Sequence, residues 1–166
     1  MVETEERDLQ GQALDGVFRQ ESARMWRALF ASTGDREIAA DAVAEAFAQA
    51  MRRGDAIRDP RRWVWKAAYR IAAGSLAERS RRHVEGPADR PTWDTPTWDT
   101  EPAWDLRAAL MRLSARQRDA VVLHHYAGYS TREVASMISS TPAAVRVHLV
   151  RGRRRLRELL GEVHDA

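Results

Sequence analysis

From Ser130 to Arg157 the chain reads STREVASMISSTPAAVRVHLVRGRRRLR, and few backbones can satisfy that string. Ser130 and Glu133 stand in the S-x-x-E relation of a capping box, which predicts a helix starting there. Val134, Met137 and Ile138, with small Ala135 among them, then fall at helical spacing. Ser139-Ser140-Thr141 is a polar turn, and Pro142 behind it suits the first position of a second helix capped by Thr141. Val145, Leu149 and Leu156 give that helix a buried stripe. Arg146, His148, Arg151, Arg153, Arg154, Arg155 and Arg157 are left for solvent or a polyanion. Two short helices joined in this way form a helix-turn-helix, the layout that sets a second helix into a DNA major groove.

The distribution of charge agrees with a polyanion better than the net value of +3 does. Residues 1–50 carry five arginines against ten acids, a net charge of −5, and residues 51–83 are net +7. Residues 84–105 are again net −5, and residues 106–166 are net +6 with eleven arginines. Two basic blocks alternating with two acidic ones imply two contacts with a polyanion and other surfaces meant for something else. The chain has no cysteine, which excludes disulfides and thiolate metal sites. Its N-terminus is acidic rather than apolar, and no apolar run approaches the roughly 18 residues of a membrane span, so a cytoplasmic protein without membrane insertion is expected.

Residues 84–105, VEGPADRPTWDTPTWDTEPAWD, divide the chain. Pro87, Pro91, Pro96 and Pro102 forbid a continuous helix there, and PTWDT at 91–95 repeats at 96–100. The repeat is either a neutral duplication in a flexible linker or a set of tryptophans (Trp93, Trp98, Trp104) that dock in a groove. Upstream, helices are expected from Gly16 to a break at Thr33-Gly34-Asp35, from Asp35 to Arg52, and from Arg61 to Arg82. Their inward positions include Leu29 and Phe30, then Ile38, Ala42, Val43, Ala46, Phe47 and Ala50, then Val64, Ala67, Ala68 and Ile71. Downstream, a short helix covers 106–113, and Ser114 with Gln117 repeats the capping box. No segment has strand periodicity. The expected fold is all-α: two small helical bundles joined by a flexible acidic linker, with a flexible N-terminus at 1–15, a first domain at 16–83, a linker at 84–105 and a second domain at 106–166.

A second cluster, Arg58-Asp59-Pro60-Arg61-Arg62-Trp63-Val64-Trp65-Lys66-Ala67-Ala68-Tyr69-Arg70, interleaves cations with aromatic rings. That mixture suits single-stranded DNA, where charge tracks the backbone and rings stack on unpaired bases. The competing role of the tryptophans is to plug the core. Trp63 and Trp65 lie on different faces of a helix, so they are not expected to be equally buried. Adjacent His124 and His125 point apart and lack further ligands at metal spacing. No phosphate-cradling loop, nucleophile elbow or other catalytic constellation is present, so neither an enzyme nor a cofactor is expected.

With both clusters in view, the chain resembles a small sigma factor of the sigma-70 family, of the extracytoplasmic-function (group 4) kind, from about Gly16 to Leu160. The region 2 likeness rests on Asp41, Val43, Glu45 and Phe47, and on Arg61, Trp63, Val64, Lys66, Ala67 and Ala68. The region 4 likeness rests on Leu113, Arg116-Gln117-Arg118, Val121, Leu123, Tyr126, Gly128, Ser130, Glu133-Val134-Ala135, Val145, Arg151, Arg153 and Leu156.

The resemblance implies a promoter-specificity subunit. Asp41, Glu45, Phe47 and Gln49 would dock on core RNA polymerase. Arg58, Arg61, Arg62, Trp63, Lys66, Tyr69 and Arg70 would melt and hold the −10 element. Ser130, Thr131, Thr141, Ala143, Arg146, Val147, His148, Arg151, Arg153 and Arg154 would read the −35 element, with Thr141, Ala143, Arg146 and Val147 nearest the base edges. The acidic linker would thread toward the RNA path. Implied partners are core RNA polymerase, promoter DNA and an anti-sigma factor, and the free chain would be a monomer. The chain departs from the family pattern at Arg70 and Gly74, where asparagine and aspartate are common, and at Ser139, Ser140 and Ala143-Ala144. Two rivals stay open at this point: a stand-alone helix-turn-helix regulator, and a sigma-like polymerase adaptor that lacks melting activity.

Overall fold

The computed structural model describes the backbone of residues 2–82 and 101–164. Among these residues the chain is helical and has no strand. The helices are α1 (Val2–Thr33), α2 (Arg36–Arg53), α3 (Pro60–Arg82), α4 (Glu101–Met111), α5 (Ala115–Val121), α6 (Thr131–Met137) and α7 (Pro142–His164). A 3₁₀ turn at Gly54–Ala56 and a π-helical turn at Val122–Tyr126 complete them. Helices α1, α2 and α3 pack on one another, and α4, α5 and α6 pack on α7, which gives the two expected bundles. The PTWDT repeats lie outside the described residues.

Local chemistry sets each boundary. Asp35 caps α2, with its carboxylate accepting from Ile38 N at 3.0 Å. Gly34 between α1 and α2 has φ +73°, and a Cβ there would lie 2.8 Å from Met111 Cε of α4, so the turn needs glycine for conformation and for room. Both capping boxes are formed: Ser114 with Gln117 opens α5, and Ser130 with Glu133 opens α6. Thr141 Oγ1 accepts from Ala144 N at 3.1 Å and opens α7. After α5 the helix widens, with Ala127 N donating to Val122 O at 3.0 Å. Gly128 then turns the chain at φ +82°, carrying Tyr129 inward to 4% exposure.

The core positions expected for α2 are all buried, as are Val64, Ala67 and Ala68 of α3. The two tryptophans separate as their spacing requires: Trp65 is fully buried and Trp63 half-buried. Two boundaries differ from the sequence reading. Helix α1 starts at Val2 and so takes in the stretch read as a loose N-terminus. Helix α4 starts at Glu101, inside the stretch read as linker, where Pro102 is tolerated because it falls in the first turn.

Ser139 ends α6 with φ +51°, in the left-handed region that disfavours a Cβ. Ser140 N donates across the turn to Ala135 O at 2.8 Å. Ser139→Gly is expected to stabilise the fold by about 0.5–1 kcal/mol, the relief of strain exceeding the added freedom of the unfolded chain. Thermal melting of the two proteins side by side checks this.

Candidate nucleic-acid interface

Helix α7 presents the first candidate surface. Val145 and Leu149 are buried against the bundle, and Leu156 packs at its edge. On the far side Ala143, Arg146, Val147, Val150, Arg151 and Arg154 are exposed, along with Thr141 and Arg153. Ser130 is exposed at the α6 start, while Thr131 and His148 are half-buried. Arg154 and Arg155 both pair with Glu158, at 3.2 Å each. These exposed pairs are weak, and phosphate can displace them at little cost. Arg116 donates to Ile138 O and so ties α5 to the turn before α7.

Helix α3 presents the second. Arg58, Arg62 and Arg70 are exposed, and half-buried Trp63 lies under the Arg53 guanidinium at 5.5 Å. The other members of the cluster turn inward. Arg61 Nε donates to Glu21 Oε1 at 2.8 Å, and Trp65 Nε1 donates to Glu21 Oε2 at 2.9 Å. Burial alone would raise the Glu21 carboxyl, but these two bonds and the Arg61 charge outweigh it and hold the group below the usual carboxylate range. Tyr69 is buried, with its hydroxyl 3.1 Å from Ser32 Oγ, and burial pushes its ionisation up.

Those inward groups meet the second bundle. The Trp65 ring sits edge-on to Tyr129 at 5.8 Å, and the Arg61 guanidinium lies over the same ring at 5.4 Å. Burial pushes the Tyr129 phenol up to about 12. Lys66 Nζ donates to Ser136 Oγ at 3.0 Å. Arg24 donates to Tyr126 O at 2.5 Å. Arg107 of α4 covers the Phe30 ring at 4.4 Å. The carboxyl of Asp119 of α5 is raised to about 6 by burial against the opposing pull of Ser32, Arg118 and Arg116. Arg61 and Lys66 of α3 are therefore engaged with the second bundle and Tyr69 with Ser32 of α1, whereas Arg58, Arg62, Trp63 and Arg70 face outward.

Helix α2 carries the third group. Asp41 is exposed, and Glu45 accepts from Gln49 at 2.9 Å and from Arg52 at 2.8 Å, forming a polar outer face. Phe47 does not belong to that face. It is 5% exposed and meets Phe18 edge-on at 5.0 Å, so it positions α2 from within.

Sequence reasoning missed Glu21, Arg24, Ser32, Asp119 and Tyr129, whose partners are far away along the chain. His124 has a structural role: its Nδ1 donates to Tyr129 O at 2.7 Å. Among the described residues no three His, Asp or Glu side chains are grouped to hold a metal, and no helix is long and apolar enough to cross a membrane.

Comparison with known proteins places these surfaces in context. The family model "Sigma-70, region 4" matches residues 103–156, which span α4 to α7. The RNA polymerase sigma factor CarQ of Myxococcus xanthus is 29% identical over 164 residues, covering 95% of this chain and 94% of that protein. The ECF RNA polymerase sigma factor SigM of Mycobacterium tuberculosis is 32% identical over 155 residues, covering 90% of this chain and 78% of its own length. Among solved structures, the sigma factor RpoE in complex with the anti-sigma factor NepR from Bartonella quintana shares the fold at TM-score 0.70 and 22% identity, covering 91% of this chain and 96% of that one. CnrH in complex with the cytosolic domain of CnrY does so at TM-score 0.68 and 18% identity, covering 96% and 94%.

Asp119 makes the contact between the bundles depend on pH. Its carboxyl titrates near 6 in the folded chain against an ordinary 3.8, so the ionised form is disfavoured by folding. The cost is full above pH 6, shrinks as pH falls through 6 and vanishes below the ordinary value. Asp119→Asn, which keeps an acceptor for Ser32, is expected to raise stability at pH 7.5 by roughly 1 kcal/mol after allowance for solvent screening. It should also flatten the change in melting temperature between pH 4 and 6.5, measured by calorimetry.

Proposed function

The chain belongs to the extracytoplasmic-function RNA polymerase sigma factors, and on that premise we propose how its surfaces divide the work. It directs core RNA polymerase to promoters; it supplies recognition and strand-opening surfaces rather than catalysis. The first bundle with its domain at 16–83 takes the −10 element and the second at 106–166 takes the −35 element, with the acidic stretch 84–105 between them. The observation that carries this reading is the exposed basic face of α7, set behind two satisfied N-caps that fix its angle to α6.

On α3 and the loop before it, the exposed cations Arg58, Arg62 and Arg70 hold the backbone of the opened strand, and Trp63 is the ring placed to stack on a base. Arg61 and Lys66 join them when Tyr129 and Ser136 withdraw, so full strand capture goes with separation of the two bundles. Tyr69 stays against Ser32 in the first bundle and supports α3 from within. The outer face of α2, with Asp41, Glu45 and Gln49, docks on polymerase, and Phe47 supports it from the core. An anti-sigma partner is part of the proposal, supported by two fold relatives whose structures are complexes with such partners. The compartment that fits these partners is the cytoplasm.

Mixing the chain with core polymerase, mapping transcription starts and footprinting with permanganate tests the reading. Run-off transcripts with reactive thymines just upstream of the start are expected. Stable dimers that bind palindromic sites without polymerase would identify a stand-alone regulator instead. Promoter binding without reactive thymines would identify an adaptor that lacks melting activity. A charge prediction accompanies this: Arg151→Ala should weaken the hold on all promoters alike and lower the salt dependence of binding by about one unit of log–log slope.

A further inference from the structure

The outer face of α7 is not simply cationic. Val147 is 45% exposed and Val150 is 58% exposed, two of the large apolar residues most open to solvent. With exposed Ala143 they fall within about 60° of one another around the helix at 100° per residue. Arg146 borders this strip on one side and Arg151 on the other, and Arg154 follows one turn further along. Pro142 and Ala144, half-buried, lie on its two flanks beyond the arginines. A helix that only gripped phosphates would gain nothing from two bare valines at its centre, since exposed apolar surface leaves burial energy unused.

The arrangement matches the floor of a DNA major groove in a specific way. The groove admits one α-helix, its walls are phosphate, and the apolar group that projects from its floor is the 5-methyl of thymine. Arginines on both borders of an apolar strip place charge at the walls and methyls at the centre. An apolar protein partner on the same strip would have to strip water from Arg146 and Arg151 together, so charge complementarity favours DNA over protein here.

We propose that Val147 and Val150, with Ala143, read thymine methyl groups in the −35 element, while Arg146 and Arg151 anchor the flanks. This rests on the assignment of α7 to that element. It adds the chemical class of base that the helix selects and brings in Val150. The element is accordingly expected to hold at least two thymines, on either strand, within the base pairs that the first three turns of α7 cover.

The test uses holoenzyme assembled from the full chain and core polymerase. Duplexes carrying a random upstream segment are selected for binding, and each thymine of the enriched element is then replaced by uracil, which removes the methyl and keeps the pairing. Affinity should fall about fourfold per methyl that a valine covers. The double variant Val147→Ser, Val150→Ser should no longer distinguish thymine from uracil at the positions the two valines cover, and both positions are exposed enough for the variant to fold, as its melting temperature will show. This thermodynamic cycle separates the methyl contact from any effect of uracil on duplex shape. An enriched element whose affinity is unchanged by uracil overturns the proposal while leaving the promoter reading intact. So does a double variant that keeps full discrimination, or one that folds but no longer assembles with core polymerase, which would make the strip a protein contact. Failure to enrich any upstream sequence would instead defeat the assignment of α7 to the −35 element.

Discussion

Glu21 holds more of this molecule together than its place in an acidic N-terminal segment suggests. It is 7% exposed, and one carboxylate accepts from both the Arg61 guanidinium and the Trp65 indole. The pair of bonds ties α1 to the start of α3. It also aims Arg61 and Trp65 at the Tyr129 ring, so the same residue shapes the first bundle and its contact with the second. The carboxylate is the buried member of the pair and the half-exposed guanidinium its solvent-facing partner, so the geometry tolerates least change at Glu21.

The interface built on that anchor is mixed in character. Aromatic contacts at Trp65 and Tyr129 sit beside single polar links such as Lys66 to Ser136 and Arg24 to Tyr126. Asp119 is held there partly against its own preference for water. A contact of this kind, with a charge disfavoured inside it and several bonds that water or phosphate can replace, is suited to opening. Domain interfaces of modest size and polar composition generally allow relative motion. Because α3 carries both the interface and the proposed strand-binding cations, the closed arrangement and the strand-bound one compete for the same residues.

Local signals were legible in the sequence because they act over three or four residues. Both capping boxes, the Thr141 cap and the unequal burial of Trp63 and Trp65 follow from spacing and residue type alone. The family likeness likewise came from short motifs, and the comparisons bear it out along most of the chain. What the sequence hid are pairings across distance: Glu21 with Arg61, Ser32 with Tyr69, Trp65 with Tyr129. Nothing near Tyr69 indicates that it faces Ser32 rather than a base. Aromatic residues in a basic cluster look the same whether they stack on DNA or on a neighbouring bundle. Phe47 illustrates the converse, a motif residue that packs on Phe18 in the core and takes no place on the polar outer face of α2.

The central claim is that two promoter grips share one chain and that the inner one is completed when the bundles part. The chain has no cysteine, so Ala73→Cys on α3 and Ala115→Cys on α5, both exposed, can carry a spin-label pair without further changes. The distance between the labels should be narrowly distributed about a single value in the free chain. In an open complex with core polymerase and promoter it should lengthen toward the span between the two elements. A complex with melted DNA in which the distance stays at its free-chain value would contradict the account.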